Sequence, residues 1–377
     1  MYDVIVVGSG GMGSAAAYHL AMRGAKVLAL EQFDIPHDLG SSHGLSRIIR
    51  LAYWEHPDYV PLVRRAYDLW RELETAANES LLVVTGSIDA GPPGSANVTG
   101  ARAACATFDL RYDELDSAAL SARFPGYQLP ADAVAIYQPD GGFLRPEACI
   151  TAHVALARRR GADIRERERV LGWHAGDGSV RVRTATGEHT ASRLVVTAGA
   201  WTGALLQQVA PALAPERQVM LWTAPLQPAL FQVGAFPVFY MNVAEGPFYG
   251  FPSHDDRGFK IGKYHHRHER VDPDAMDRAC HAEDEAVLRD AVRRYFPEAN
   301  GPTLAMKTCL FTNTPDEHFV IDRLPHAPNV ALAAGFSGHG FKFCSVVGEI
   351  LADLALDGGT RHDLSLFALR RLPIAFQ

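Results

Sequence analysis

The sequence predicts an α/β chain of two lobes, one of them assembled from segments scattered along the chain. Three observations carry that expectation. The length of 377 residues exceeds what one simple core accommodates. A strand-turn-helix-strand unit opens the chain, and two more glycine-containing strand-to-helix stretches lie near its middle and its end. Apolar residues make up 47% and charged residues 21%, so both lobes are expected to bury ordinary globular cores.

In the opening unit, Val4 to Val7 form a continuous apolar run, as in a strand buried on both faces of a parallel sheet. Gly8, Gly10 and Gly13 fit GxGxxG: a tight turn, a close backbone approach to a pyrophosphate, and close packing of helix on strand. Ser14 to Arg23 have helical spacing, with Ala16, Ala17, Leu20 and Ala21 inward, and the helix start offers free N–H groups to phosphate. Lys26 to Leu30 give a second strand, ended by Glu31, 21 residues after Gly10, where an acid suits the hydroxyls of an adenosine ribose. The unit does not separate NAD from FAD. No arginine directly follows Glu31, which disfavours a 2′-phosphate.

Residues 57–78 read as a helix with Val60, Val63, Tyr67, Trp70 and Leu73 on one side. Asp89 to Gly100 is rich enough in Gly and Pro to be expected as a loop. "VRVRTATGEHTA" reads as a hairpin turning at Thr186-Gly187, and "RLVVTAGAWTGALL" as a buried strand reaching Gly199 and entering a helix. A late strand that closes over the nucleotide favours an extended FAD. Residues 282–296 are expected as an amphipathic helix. In "NVALAAGFSGHGFKFCSVVGEILADLAL" a strand leads through the loop Gly335–Gly340 into a helix, with Gly338 and Gly340 bracketing His339 at the helix start.

The formal charge of −7 argues against an extended nucleic-acid surface, yet leaves room for a small anionic substrate held by local cations. Cys105, Cys149, Cys280, Cys309 and Cys344 are odd in number and contain no CxxC pair, which argues against disulfides and structural zinc. The chain enters an apolar strand directly, and no apolar run approaches the ~20 residues that span a bilayer. A soluble protein of the reducing cytoplasm is expected. His265, His266 and His268 invite a metal reading, but they lack the i,i+4 spacing of a helical ligand pair and a supporting carboxylate pattern, so no metal is expected.

"VIVVGSGGMG", "GSSHGLSRIIRLAY", "TNTPDEHFVID" and "GFSGHGFKF", in this order, resemble the monomeric sarcosine oxidase and N-methyltryptophan oxidase family over nearly the whole chain. The resemblance implies an FAD-binding Rossmann-like domain interleaved with a smaller antiparallel-sheet substrate domain. It implies FAD attached covalently through Cys309 at the flavin 8α carbon, where a thiolate is the suitable nucleophile. By the same resemblance Gly8, Gly10, Gly13, Glu31, Ser42, Ser46, Gly338, Gly340 and Lys342 face the cofactor, with Arg47 and His43 beside the isoalloxazine. Arg50 and Lys342 hold a substrate carboxylate, which a guanidinium fork suits, and Tyr249 and His265 lie close to the substrate. Lys260 activates dioxygen; strand alternation sets it and Lys263 on opposite faces, and the match of FKIG favours Lys260.

Family members often read SHHGDTRIIRHAYGE where this chain has Leu45, Leu51 and Trp54 in place of an acid, a histidine and a glycine, and Phe311 replaces a tyrosine. These changes point to a larger or aromatic substrate side chain than that of sarcosine. The flavin domain is expected in residues 1–86, 141–213 and 316–377, and the substrate domain in 87–140 and 214–315. The implied reaction is oxidation of a secondary, N-methyl amino acid by a monomer using dioxygen, giving an imine, then formaldehyde and hydrogen peroxide. The alternatives are a cyclic imino acid as substrate, a carrier as electron acceptor, or a flavoprotein without turnover.

Overall fold

The structure is a computed structural model and describes residues 1–176, 178–254 and 257–372. Tyr2–Val7, four of whose six residues are buried, lies at the middle of an eight-stranded sheet. It pairs in parallel with Val27–Leu30 on one side and with Glu188–Val196 on the other. Asp163–Arg165 extends the first side. The hairpin partner Ser179–Thr184 and the parallel strand Ala327–Ala334 share the second, and Val320–Leu324 pairs with the latter. Strands from the start, middle and end of the chain therefore meet in one sheet, as the glycine stretches predict.

The helices Gly11–Met22, Tyr59–Ala77, Pro146–Arg159 and Cys344–Leu356 bury one face of this sheet. Gly11–Met22 and Cys344–Leu356 pack almost backbone to backbone, because Gly348 faces Ala15: a Cβ on Gly348 would lie 2.6 Å from Ala15 Cβ. The small residues that make the first helix only weakly amphipathic are what allow this approach. The other sheet face is closed by residues including Val170, Val180, Val182 and Leu206.

The second sheet has nine strands drawn from residues 87–138 and 214–313. Its centre is antiparallel: Ala214–Thr223 pairs with Thr303–Asn313 on one edge and with Phe259–Lys263 on the other. Gly246–Phe251 and Val238–Val243 follow. Ser87–Gly91 then joins in parallel and Val134–Gln138 antiparallel to it. Side-chain alternation divides the sheet cleanly. Ile88, Phe239, Phe248, Phe259, Ile261, Val219 and Leu221 point to an apolar core closed by Leu288 and Val292 of the helix Ala282–Tyr295. Residues of the opposite parity, Asp89, Tyr240, Tyr249, Lys260, Met220 and Cys309, share the other face.

One expectation fails. Asp89–Gly100 is not a loop: Ser87–Gly91 is a strand, and a helix runs from Ala96 to Thr107. The prolines are confined to the turn between them, closed by Ser95 N donating to Pro92 O at 2.9 Å. Gly100 sits inside the helix because a Cβ there would meet the Trp54 backbone at 2.7 Å. Local composition reads as a loop; packing makes it an element.

Replacing Gly348 by Val should force the two helices apart and lower unfolding free energy by about 1–3 kcal/mol, read as a lower urea midpoint. Gly24→Ala, whose Cβ would meet nothing within 4 Å though its φ is +80°, should cost less.

Candidate active site

The three glycine stretches line a single elongated cavity. Gly8 turns at φ +86°, and a Cβ on Gly13 would overlap the Gly8 carbonyl oxygen, so both are fixed by geometry. Glu31 is buried at the end of its strand; Ser9 N donates to its Oε2 at 2.7 Å and Phe33 N to Oε1 at 3.1 Å. Burial raises its pKa while those backbone donors pull it back down. Ser42 Oγ accepts from Gly11 N at 3.3 Å, tying the loop after residue 40 to the start of the first helix. Gly338 and Gly340 close the cavity opposite, where Cβ atoms would strike Phe311 and Phe336. A helix N-terminus without side-chain cap, a turn that admits backbone only, and a buried acid at the far end together fit an extended dinucleotide.

Cys309 is buried and adjoins Leu310, which lines this cavity together with Arg47. Its sulfur lies 3.4 Å from Arg47 Nη2, which also donates to Ser41 O at 2.8 Å. Arg47 Nη1 donates to Ser46 O at 2.9 Å and reaches Met220 Sδ at 3.7 Å. His43 is buried with neither ring nitrogen partnered among the described residues. Burial, then the charge of Arg47, lowers its pKa to about 3, so it is a neutral imidazole at pH 7.

Lys260 is only 1% exposed. Its ammonium donates to Gly44 O at 2.6 Å, Ser46 O at 2.8 Å and Ser46 Oγ at 3.1 Å, which uses all three donors. It also stands 4.4 Å over the Phe251 ring. Burial, then Arg47, lowers its pKa well below that of free lysine. Lys263 projects to the other side of the strand, partly exposed and 6.0 Å over Phe248. The two lysines therefore occupy opposite faces, with Lys260 on that of Cys309.

Arg50 and Lys342 come together around Tyr53, standing 5.3 and 5.1 Å over the same ring. Arg50 Nη2 donates to both Glu55 oxygens at 3.0 Å, Nε donates to Ala52 O at 3.3 Å, and Nε lies 3.6 Å from Asp89. Its Nη1 has no hydrogen-bond partner among the described residues. Lys342 Nζ gives one bond, to His339 O at 2.7 Å, and burial, then Arg50, lowers its pKa to about 7. Donors therefore remain on both cations. Burial works to raise the Glu55 pKa, but Arg50 holds it below the usual range. Burial raises Asp89 to about 7 against the pull of Arg50.

Burial pushes the Tyr249 hydroxyl well above the usual phenol range, and a Cβ on Gly262 would meet its ring at 2.5 Å. Tyr264, which sequence reasoning passed over for its neighbour His265, donates a short hydrogen bond to Ser337 O and lies 5.3 Å from the Phe311 ring. His265 is pinned between Glu216 and Glu317, at 3.0 Å from each. Burial opposes its charge, yet the two glutamates raise its pKa to about 9. This corrects the expectation that the histidine run lacks supporting carboxylates: they arrive from a strand and a bend far away in sequence. Ligand atoms of Glu216, His265 and His268 lie within 4.8 Å of one another, so they could gather a metal ion only by displacing the His265 proton.

Asp89, Glu55 and Tyr53 also escaped sequence reasoning. The one available signal was a charged residue inside the apolar alternation Ile88-Asp89-Ala90. Of the four departures from the family pattern, Trp54 lies tilted against Tyr240 at 5.3 Å and Phe311 tilted against Tyr264 at 5.3 Å. Leu51 packs into the helical core and Leu45 is exposed at φ +71°, so neither enlarges the apolar wall there.

Residues 3–354 match the family model described as FAD dependent oxidoreductase. The chain is 43% identical to a monomeric sarcosine oxidase of Streptomyces avermitilis, covering 99% of this chain and 98% of that one. It is 37% identical to an N-methyl-L-tryptophan oxidase of Salmonella heidelberg, covering 98% and 99%. Among solved structures it is similar to NikD, an amino acid oxidase essential for nikkomycin biosynthesis, with TM-score 0.86, 26% identity and 97% of each chain covered.

The raised pKa of His265 has a definite sign in stability. Unfolding releases the imidazolium to a pKa near 6.5, so the stabilisation is fully present below pH 6.5 and lost as pH rises through about 9. His265→Gln should therefore flatten the fall in melting temperature between pH 6.5 and 9. An unchanged slope would show that the two carboxylates do not hold the ring charged.

Proposed function

The chain belongs to the monomeric sarcosine oxidase and N-methyltryptophan oxidase family of FAD-dependent oxidoreductases, and from that premise we propose an oxidase of N-methyl amino acids. The net reaction is R–NH–CH3 + O2 + H2O → R–NH2 + HCHO + H2O2. When bound, FAD supplies the two-electron acceptor that then reacts with dioxygen, and Cys309 is its covalent anchor. The observation that carries this reading is the gathering of Cys309, Arg47 and Lys260 around the segment 41–47, and of Arg50 and Lys342 around Tyr53. A scaffold without turnover would need none of the five.

Each residue has a task that follows from its surroundings. Arg47 donates to the Cys309 sulfur and fixes where its lone pairs point. Arg50 offers its unused Nη1, and Lys342 its two remaining donors, to the substrate carboxylate, so the N-methyl carbon is presented in one orientation. Positioning of this kind matters because a ~1 Å displacement can cost about 10²-fold in rate. The amine reacts in its neutral form, since only that form has a lone pair to assist loss of the C–H electrons. Lys260 keeps a cation in a dry, aromatic-walled site, where it lowers the cost of negative charge developing on dioxygen. Trp54 and Phe311 give the substrate side chain aromatic neighbours, which supports a substrate larger than sarcosine. All five cysteines are free, in keeping with a cytoplasmic protein, and no helix among the described residues is long and apolar enough to cross a membrane. We take the protein to be a monomer, as the name of its sarcosine oxidase relatives states.

On a denaturing gel, flavin fluorescence should migrate with the wild-type polypeptide and vanish from it in Cys309→Ser. Fluorescence that runs free of the wild type would remove the covalent anchor. Lys260→Met should leave anaerobic reduction by N-methyl amino acids nearly intact while slowing reoxidation by dioxygen about 10²-fold or more. Equal slowing of both half-reactions would assign Lys260 a structural task instead. Arg50→Met should weaken a carboxylate inhibitor by about 2–5 kcal/mol, measured by titration.

A further inference from the structure

The carboxylate clamp contains more charge than clamping requires. Asp89 is 1% exposed, and neither of its oxygens accepts a hydrogen bond from a described residue. Its nearest cation is Arg50, 3.6 Å away and already engaged by Glu55. Buried carboxylates are normally paired with donors, so an unbonded one beside a binding cation is an expensive feature with no structural return. The groups around it come from every packed element. Arg50 and Glu55 follow the strand Arg47–Ile49, and Lys342 lies on the turn Phe341–Phe343. Tyr240 lies on the neighbouring strand, and Cys105 on the helix Ala96–Thr107. Tyr240 and Cys105 stay neutral near pH 7, since burial raises the phenol well above its usual range and the thiol to about 12.

At pH 7 the enclosed charge is close to balance before any ligand arrives: Arg50 and Lys342, the latter itself at about 7, against Glu55 and Asp89. A substrate carboxylate on Arg50 adds a third anion within the same dry volume. An uncompensated buried charge is the costliest state available, so one group must change protonation. Glu55 keeps a bidentate bond to Arg50, whereas Asp89 has no donor to lose.

We propose that Asp89 is the resident counter-ion of Arg50 and a positioning residue for it, taking up one proton when a carboxylate ligand docks. Arg50 is held in place by Asp89 in the empty site and is released from it, without a net charge change, in the occupied one. The sign follows. Burial already raises Asp89 to about 7, and a new anion nearby raises it further. Above pH 7 the carboxyl is charged when empty and neutral when occupied, so ligand affinity falls as pH rises. Below that range it is neutral in both states, and affinity is flat.

This inference rests on the clamp reading of Arg50, and the test separates the two. The flavin-loaded protein is titrated with acetate, a carboxylate it cannot oxidise, from pH 6 to 9. For wild type the dissociation constant should rise about tenfold per pH unit above pH 7.5. Asp89→Asn should make that dependence clearly shallower, leaving only the part set by loss of charge on Lys342, and bind acetate more tightly than wild type at pH 8.5. An Asn variant that weakens binding equally at every pH makes Asp89 a mere structural brace, and one that keeps the wild-type slope moves the proton to Lys342; either result overturns the proposal. Calorimetry of wild type alone at pH 8, in phosphate and in Tris, should register uptake of about one proton, and no uptake overturns it without any variant. Acetate affinity that is indifferent to Arg50→Met would instead sink the clamp itself.

Discussion

Charge buried away from water is the constraint to which the rest of this molecule answers. Arg50, Lys260 and Lys342 each lie almost wholly inside the protein, and a buried cation is tolerated only where acceptors or anions surround it. Lys260 is the fully satisfied case. The segment carrying Gly44 and Ser46 must come close enough to present two carbonyls and a hydroxyl, and that approach fixes the position of Arg47 as well. Arg50 and Lys342 are the incomplete cases. Both keep spare donors beside Glu55 and Asp89, and it is to these donors that we assign an incoming carboxylate.

These cations could be gathered only by bringing two sheets together. The nine-stranded sheet gives one face to an aromatic core and the other, by strict alternation, to Cys309, Lys260, Tyr249, Tyr240 and Asp89. The eight-stranded sheet contributes the glycine turns and Glu31. Between them runs the segment 41–50, whose short strand Arg47–Ile49 belongs to a separate three-stranded sheet. A shift of one residue in any of these strands would exchange a charged side chain for an apolar one on the active face. Register in the substrate-side sheet is therefore a functional quantity as much as a structural one.

The same logic explains which residues were readable in advance. Gly8, Gly13 and Glu31 were legible because their roles are set by backbone geometry within about thirty residues. Cys309, Arg50, Lys260 and Lys342 were legible only through family motifs, since nothing local distinguishes them from filler. Asp89–Gly100 was misread because its prolines and glycines are counted by composition but placed by packing. The acids that support His265 lie 49 and 52 residues from it, beyond the reach of any spacing rule.

The sequence by itself determined the nucleotide unit, the discontinuous lobe and the family, because hydrophobic period, glycine turns and ordered motifs are local properties of the chain. Only the tertiary structure decided which face Lys260 takes, that Asp89 and Glu55 stand beside Arg50, and that Tyr264 reaches Ser337. Those facts depend on the register of strands far apart in sequence and on the low dielectric of the space they enclose. Neither exists until the chain has closed on itself.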